Sequence, residues 1–251
     1  MRVLKYAVAA SLLVTAPMAV AQQLSIATGG TGGTYYPYGG GLAELINNHI
    51  EGASAVAEVT GASVENMGLV WRGDSDVALA LADTVFQAYS GTGDFEGRQL
   101  ENIRALASIY PNAVQLVTLA DSDVHTLSDL VGKRVSVGAP GSGTELNARA
   151  LLEANGISYD DFTPQRLNFN ETADAIRDGD IDAGFWSVGP PTSSILNLAT
   201  TRDIRLVGFS DEEIENARDA ERLLPPTSFA LVSTRAWKRL FRPSASPTFW
   251  R

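Results

Sequence analysis

The chain has 251 residues, 45% of them hydrophobic, a formal charge of −10 and no cysteine. That length and apolar content suit one large α/β domain or two small ones and exclude a disordered chain. The acidic balance disfavours nucleic acid and anionic membranes as partners, and the lack of a thiol excludes disulfides, a cysteine nucleophile, zinc–cysteine sites and a lipid-acceptor cysteine.

From the N-terminus, Arg2 and Lys5 precede an uncharged apolar run from Tyr6 to Ala16, followed by Pro17 and the small-residue triplet Ala19-Val20-Ala21. This is the layout of a secretory signal peptide cleaved after Ala21, the run being shorter than the roughly 20 residues that span a bilayer. A periplasmic, still more acidic mature chain is expected.

The mature chain opens on an alternating strand, Leu24–Ala27, then the loop Gly29-Gly30-Thr31-Gly32-Gly33-Thr34. A helix follows, with Leu42, Leu45, Ile46 and Ile50 at helical spacing, Thr34 as N-cap and Pro37 in the first turn. Next come a strand over Ala57–Thr60, a helix capped by Ser63, and a strand through Val77, Leu79 and Leu81 leading to a helix at Val85–Tyr89. Gly91–Asn102 reads as loop, and Ile103–Ile109 and Val114–Leu119 as strands either side of Pro111-Asn112.

The second half repeats the pattern. A short helix at Thr126–Leu130 and a strand at Arg134–Gly138 lead into a second glycine loop, Ala139–Thr144, and a helix from Glu145 to Asn155 stopped by Gly156. Helices at Asn170–Asp178 and Ile195–Ala199 flank a strand at Ile181–Val188; a strand at Ile204–Phe209 precedes a helix opened by Ser210 with Glu213 at capping-box spacing. Such alternation predicts parallel sheets covered on both faces, two sheets rather than one.

The two glycine loops are the strongest chemical signal. A helix N-terminus presents unpaired N–H groups and a partial positive charge, and glycine lets a ligand reach the backbone, so an anion can be held without arginine. Tight βα turns explain the same loops without a ligand, but two of them, with the hydroxyls of Thr34, Ser142 and Thr144, favour binding. Neither is a nucleotide loop: the segment ending Ser142-Gly143-Thr144 lacks the P-loop lysine, and the first lacks the third glycine of a dinucleotide fingerprint.

An enzyme finds little support. The histidines, His49 and His125, have no serine elbow beside them, and pairs such as Asp160-Asp161 and Glu212-Glu213 fall at turns and helix starts, where acids are expected. No metal-ligand spacing stands out, so no metal or cofactor is expected. Tyr35-Tyr36 offers a ligand wall or the edge of a core. Trp186 is the cleft-facing candidate of the apolar pair Phe185-Trp186, unless both are buried. Asn66 and Asn147, in the first turns of helices, either reach a ligand or decorate the helix start.

Four segments together, Gly29–Pro37, Gly61–Asn66, Gly132–Glu145 and Gly179–Ala183, closely resemble the TAXI family, the solute receptors of TRAP-type transporters, over roughly Leu24 to Phe209. The resemblance implies a type II periplasmic binding-protein fold: two α/β lobes, hinged by crossing strands, that close on a ligand between them. Lobe 1 would take 22–112, lobe 2 113–225, and a return segment or aberrant tail 226–251, after a signal peptide at 1–21. The implied ligand is glutamate, glutamine or a dicarboxylate; the implied partners are the membrane subunits of an ion-driven transporter, with the receptor a monomer. Carried over position by position, the ligand shell takes Gly32, Gly33, Thr34 and Tyr35, then Val64, Glu65 and Asn66, and Ser142, Gly143, Thr144 and Asn147. A secreted enzyme or a sensing subunit on the same two-lobe fold is the alternative.

One segment departs from the family. Members usually continue further, whereas here the pattern fades after about Phe229, and Ala230–Arg251 carries Arg235, Lys238, Arg239, Arg242 and Arg251, Trp237 and Trp250, and no acid. A frameshift or truncation near Phe229 is expected, with a basic tail that docks on the transporter as the alternative.

Overall fold

A computed structural model describes residues 22–220 and 230–231. The expected signal peptide and nearly all of the basic tail, with the expected frameshift or truncation near Phe229, therefore lie outside the described residues. No helix among the described residues is long and apolar enough to cross a membrane.

Lobe 1 is built from β1 (Gln22–Ala27), α1 (Tyr35–His49), β2 (Ala53–Glu58), α2 (Ser63–Arg72), β3 (Val77–Ala78) and α3 (Ala82–Ser90). Its strands form an all-parallel sheet in the order β2-β1-β3. Beneath α2 and α3 a small core gathers Met67, Ala88, Phe95, Leu100 and Ile103. The expected strand at Ile103–Ile109 does not form. Ile103 turns into this core while 104–109 run exposed into the second lobe. β-propensity needs a ladder partner, and no strand lies alongside this segment among the described residues.

Lobe 2 comprises β4 (Ala113–Leu119), β5 (Arg134–Ser136), α4 (Gly143–Ala154), β6 (Thr163–Gln165), α5 (Phe169–Asp178), β7 (Ala183–Val188), α6 (Ser193–Thr201), β8 (Ile204–Val207), α7 (Asp211–Ala220) and β9 (Ala230–Leu231). The sheet order is β6-β5-β7-β4-β8, with β9 also on β4. It is mixed rather than parallel. The chain enters it through β4, which runs antiparallel to both β7 and β8. β6, missed in the sequence because Pro164 interrupts a short polar run, extends the parallel side beyond β5.

Alternation along the strands explains the two-sided burial. Leu116 and Phe185 face the layer of α4 and α7, whereas their neighbours Val117 and Trp186 face that of α5 and α6. Near-continuous apolar runs in β4 and β7 follow from this. Caps set the helix ends: Asn168 and Glu171 form a reciprocal capping box on α5, and Ser210 and Glu213 do the same for α7.

Candidate functional site

Five helix N-termini meet between the lobes. α1 brings Gly33, Thr34 and Tyr35, α2 brings Gly61, Ala62 and Ser63, and α3 brings Leu81. From lobe 2, α4 brings Ser142, Gly143 and Thr144, and α5 brings Asn168 and Phe169. Together with Ser187 and Val188 at the end of β7, they enclose a cavity of about 540 Å³, mouth included. Among the described residues no charged side chain lines it. The site lies at the carboxyl ends of parallel strands, where open α/β sheets place their ligands, and the first N–H groups of each helix lack intrahelical acceptors. The helix dipoles directed into it favour an anion.

The local sequence explains the geometry. Gly30 accepts the Gly33 N–H at 3.1 Å, closing the turn that starts α1. Thr34 stands at the N-cap position, but its hydroxyl pairs with the Tyr110 hydroxyl at 2.8 Å instead of capping the helix. Ser142 does cap α4, accepting the Glu145 N–H at 3.2 Å. Ser63 does not cap α2: it is the first helical residue, and its Oγ accepts the Leu81 N–H at 3.1 Å. The N-cap is Ala62, held at φ 79°, a conformation that costs an alanine about 1–3 kcal/mol and that surrounding contacts must sustain.

The lobes are closed on each other through backbone. The N–H groups of Val64 and Glu65 donate to the Gly141 carbonyl at 3.0 and 3.1 Å. Across the other side of the cleft, the Gly32 carbonyl accepts the Ser194 N–H at 3.3 Å and the Ser193 hydroxyl at 3.2 Å. Asn170 donates to Thr31 Oγ1 at 3.1 Å, and Arg149 pairs with Asp94 at 2.5 Å. Gly61 permits the approach: a Cβ there would lie 2.6 Å from the Pro140 carbonyl oxygen of the opposite lobe.

Of the residues singled out from sequence, Gly33, Thr34, Tyr35, Ser142, Gly143 and Thr144 line the cavity. Gly32, Val64 and Glu65 sit beside it and spend their backbone groups on interlobe bonds, while Glu65 Oε2 accepts the Gly61 N–H at 2.5 Å. Asn66 is turned into lobe 1, donating to the Thr28 and Leu79 carbonyls at 2.7 and 2.8 Å. Asn147 is buried behind the wall, donating to Ser187 Oγ at 3.2 Å and reaching the Asp83 carboxyl. Trp186 is fully buried, with Nε1 on Ser194 Oγ at 3.1 Å and its ring stacked on Phe169 at 5.9 Å. It backs the wall, and Phe169 is the surface.

Sequence reasoning missed Phe169, Asn168, Ser187, Tyr110 and Asp83. The Asn168–Glu171 spacing of a capping box was a usable signal for the first two. For the others only the fold brings them in. Burial, together with the neighbouring Tyr110, pushes the Tyr35 phenol above its usual range, and Asn112 donates to its oxygen at 3.2 Å. Burial likewise pushes Asp83 up to about 6.

Solved structures with this architecture are periplasmic binding proteins of type II. The alkanesulfonate-binding protein of Xanthomonas axonopodis pv. citri, solved with MOPS, matches at 19% identity and a TM-score of 0.50, covering 74% of this chain and 60% of that one. A putative L-cystine ABC transporter protein of Listeria monocytogenes matches at 16% identity and a TM-score of 0.53, covering 80% and 89%. An ancestral arginine-binding protein bound to arginine matches at 17% identity and a TM-score of 0.52, covering 89% and 100%. The chain thus spans about 60% of the length of the sulfonate-binding proteins it matches. In sequence, a model described as the NMT1-like family matches residues 26–228, most of the chain, and the protein belongs to that family.

Proposed function

We propose that this chain is a periplasmic solute receptor, not an enzyme, that closes lobe 1 (22–112) and lobe 2 (113–225) over a small carboxylate-bearing solute and delivers it as a monomer to a membrane transporter. The observation that carries this reading is the convergence of helix N-termini from both lobes on a cavity with no charged side chain. In a chain of net charge −10 an anion is drawn in by those local dipoles against the global field. The TAXI-like glycine segments point to a TRAP-type transporter and to glutamate, glutamine or a dicarboxylate. A second reading, an ABC-type partner and a sulfonate or amino acid, is supported by the neighbours named above.

Thermal unfolding measured against glutamate, glutamine, 2-oxoglutarate, arginine and an alkanesulfonate tests both readings. A ligand that binds only the native state stabilises it by about 2.7 kcal/mol at a hundredfold its Kd. Stabilisation by glutamate, glutamine or 2-oxoglutarate supports the proposal, by arginine or the sulfonate the second reading, and by none of them overturns both. Thr144→Val is expected to weaken binding of the stabilising solute by about 1–2 kcal/mol, the usual cost of losing a buried hydrogen bond. Thr144 is 4% exposed, and its Oγ1 already accepts the Ser187 N–H at 3.3 Å, leaving its proton for the solute. Unchanged affinity by calorimetry would remove the second glycine loop from the site.

A further inference from the structure

Asp83 stands in the first turn of α3 with its carboxyl turned inward where the lobes meet. Its side chain is enclosed, the residue being 1% exposed. Oδ1 accepts the Thr84 N–H at 2.5 Å and the Thr84 hydroxyl at 3.2 Å, whereas Oδ2 has no hydrogen-bond partner. The group that reaches it from the opposite lobe is the uncharged Asn147 amide of α4. Asn147 in turn donates to Ser187 Oγ, and the Ser187 N–H donates to Thr144 Oγ1, so the amide beside the carboxyl is joined through two bonds to two residues of the cavity wall.

Among the described residues no cation compensates this carboxyl. Tyr35 of α1 is the ionisable group that faces it, and it is neutral. The charged groups on the elements packed around α3 are engaged elsewhere: Glu65 of α2 with the Gly61 N–H, Arg72 of α2 with Asp74, and Asp94, in the 3-10 turn at Gly93–Phe95, with Arg149. A buried carboxylate with one bare oxygen is costly, and the neutral acid much less so. The upward displacement to about 6 has burial as its largest cause and no charged neighbour among its causes.

We propose that closure of the cleft is proton-linked through Asp83, the carboxyl taking up a proton as lobe 2 covers it and releasing it to water as the lobes part. In the receptor reading, on which the role of this step rests, closure is the moment of solute capture, so loading is favoured at lower pH. The sign follows from the closed state holding its proton more tightly than the open one, in which a solvated carboxyl returns towards the ordinary 3.8. Closure gains as pH falls below about 7, and the gain levels off near the open-state value. Between pH 7 and pH 5 it amounts to about tenfold.

The Val64 and Glu65 amides report closure without any solute, since their acceptor is the Gly141 carbonyl of the opposite lobe. Hydrogen-exchange protection of these two amides, corrected for intrinsic rates, is measured on the solute-free full chain from pH 5 to pH 8. A rise of about tenfold from pH 7 to pH 5 in the wild type, and a flat, high profile in Asp83→Asn, is expected. A flat wild-type profile, or the same rise in Asp83→Asn, overturns the proposal. Should that variant not fold, carbon-13 titration of the wild-type Asp83 carboxyl decides: a midpoint near 6 that tracks protection supports it, and one near the ordinary 3.8 overturns it. Failure of every carboxylate and of the sulfonate to bind would sink the receptor reading and leave this result unaffected.

Discussion

Gly61→Ala is expected to hold the lobes apart, weakening solute binding by roughly 10- to 100-fold while each lobe stays folded. The added Cβ would stand 2.6 Å from the Pro140 carbonyl oxygen, a backbone atom that cannot rotate away. Overlap of this kind costs about 1–3 kcal/mol in the closed form; the Cβ would also stand 2.6 Å from Glu65 Oε2 of its own lobe, but that is the end of a flexible side chain that can shift, and in an open cleft Pro140 is no longer opposite. The Val64 and Glu65 bonds to Gly141 are adjacent and are lost with it. Scattering should therefore show a larger radius of gyration that solute no longer reduces. Gly40→Ala, in α1 where a Cβ meets nothing within 4 Å, is the control and should bind as the wild type does. Unaltered affinity and compaction in Gly61→Ala would mean that the cleft captures its solute without this contact.

Asn66→Leu is expected to destabilise lobe 1 by about 3 kcal/mol or more, a large share of a domain's total stability. Asn66 is fully buried. It donates to the carbonyl of Thr28, just past β1, and of Leu79, just past β3, and accepts the Thr60 hydroxyl, two residues past β2, at 2.7 Å. One side chain of α2 thus ties the ends of all the strands in the lobe-1 sheet. Leucine of similar volume leaves two buried carbonyls without donors, at about 1–3 kcal/mol each. A urea titration should show a lower midpoint for the variant, with solute affinity little changed once it is folded. The opposite result, full stability with binding lost, would return Asn66 to the ligand shell that the family resemblance assigns it.

Residues read alike in sequence separate for physical reasons. Thr144 and Asn147 lie three positions apart on α4, yet one lines the cavity and the other is buried behind it, because the Asn147 amide finds a partner in Ser187 of β7 and packs beside Asp83 of the other lobe. Trp186 was legible as an aromatic of an apolar strand. Which face of β7 it took was not, since a sheet covered on both sides has no polar face to break the tie. Asp83 carried no signal at all: an acid in the first turn of a helix is ordinary, and only the folded chain encloses it.

What the sequence by itself determined is the strand–loop–helix alternation, the capping of α7, and the two glycine loops at helix starts. These depend on neighbours within a few positions, through hydrogen bonds, permitted backbone angles and apolar spacing. The tertiary structure alone decided the mixed order of the second sheet, the failure of 103–109 to become a strand, the enclosure of the cavity, and the partners of Asn66, Asn147 and Asp83. Each of these is a contact between segments far apart in the chain, and its energy arises from desolvation and pairing that exist only once those segments meet.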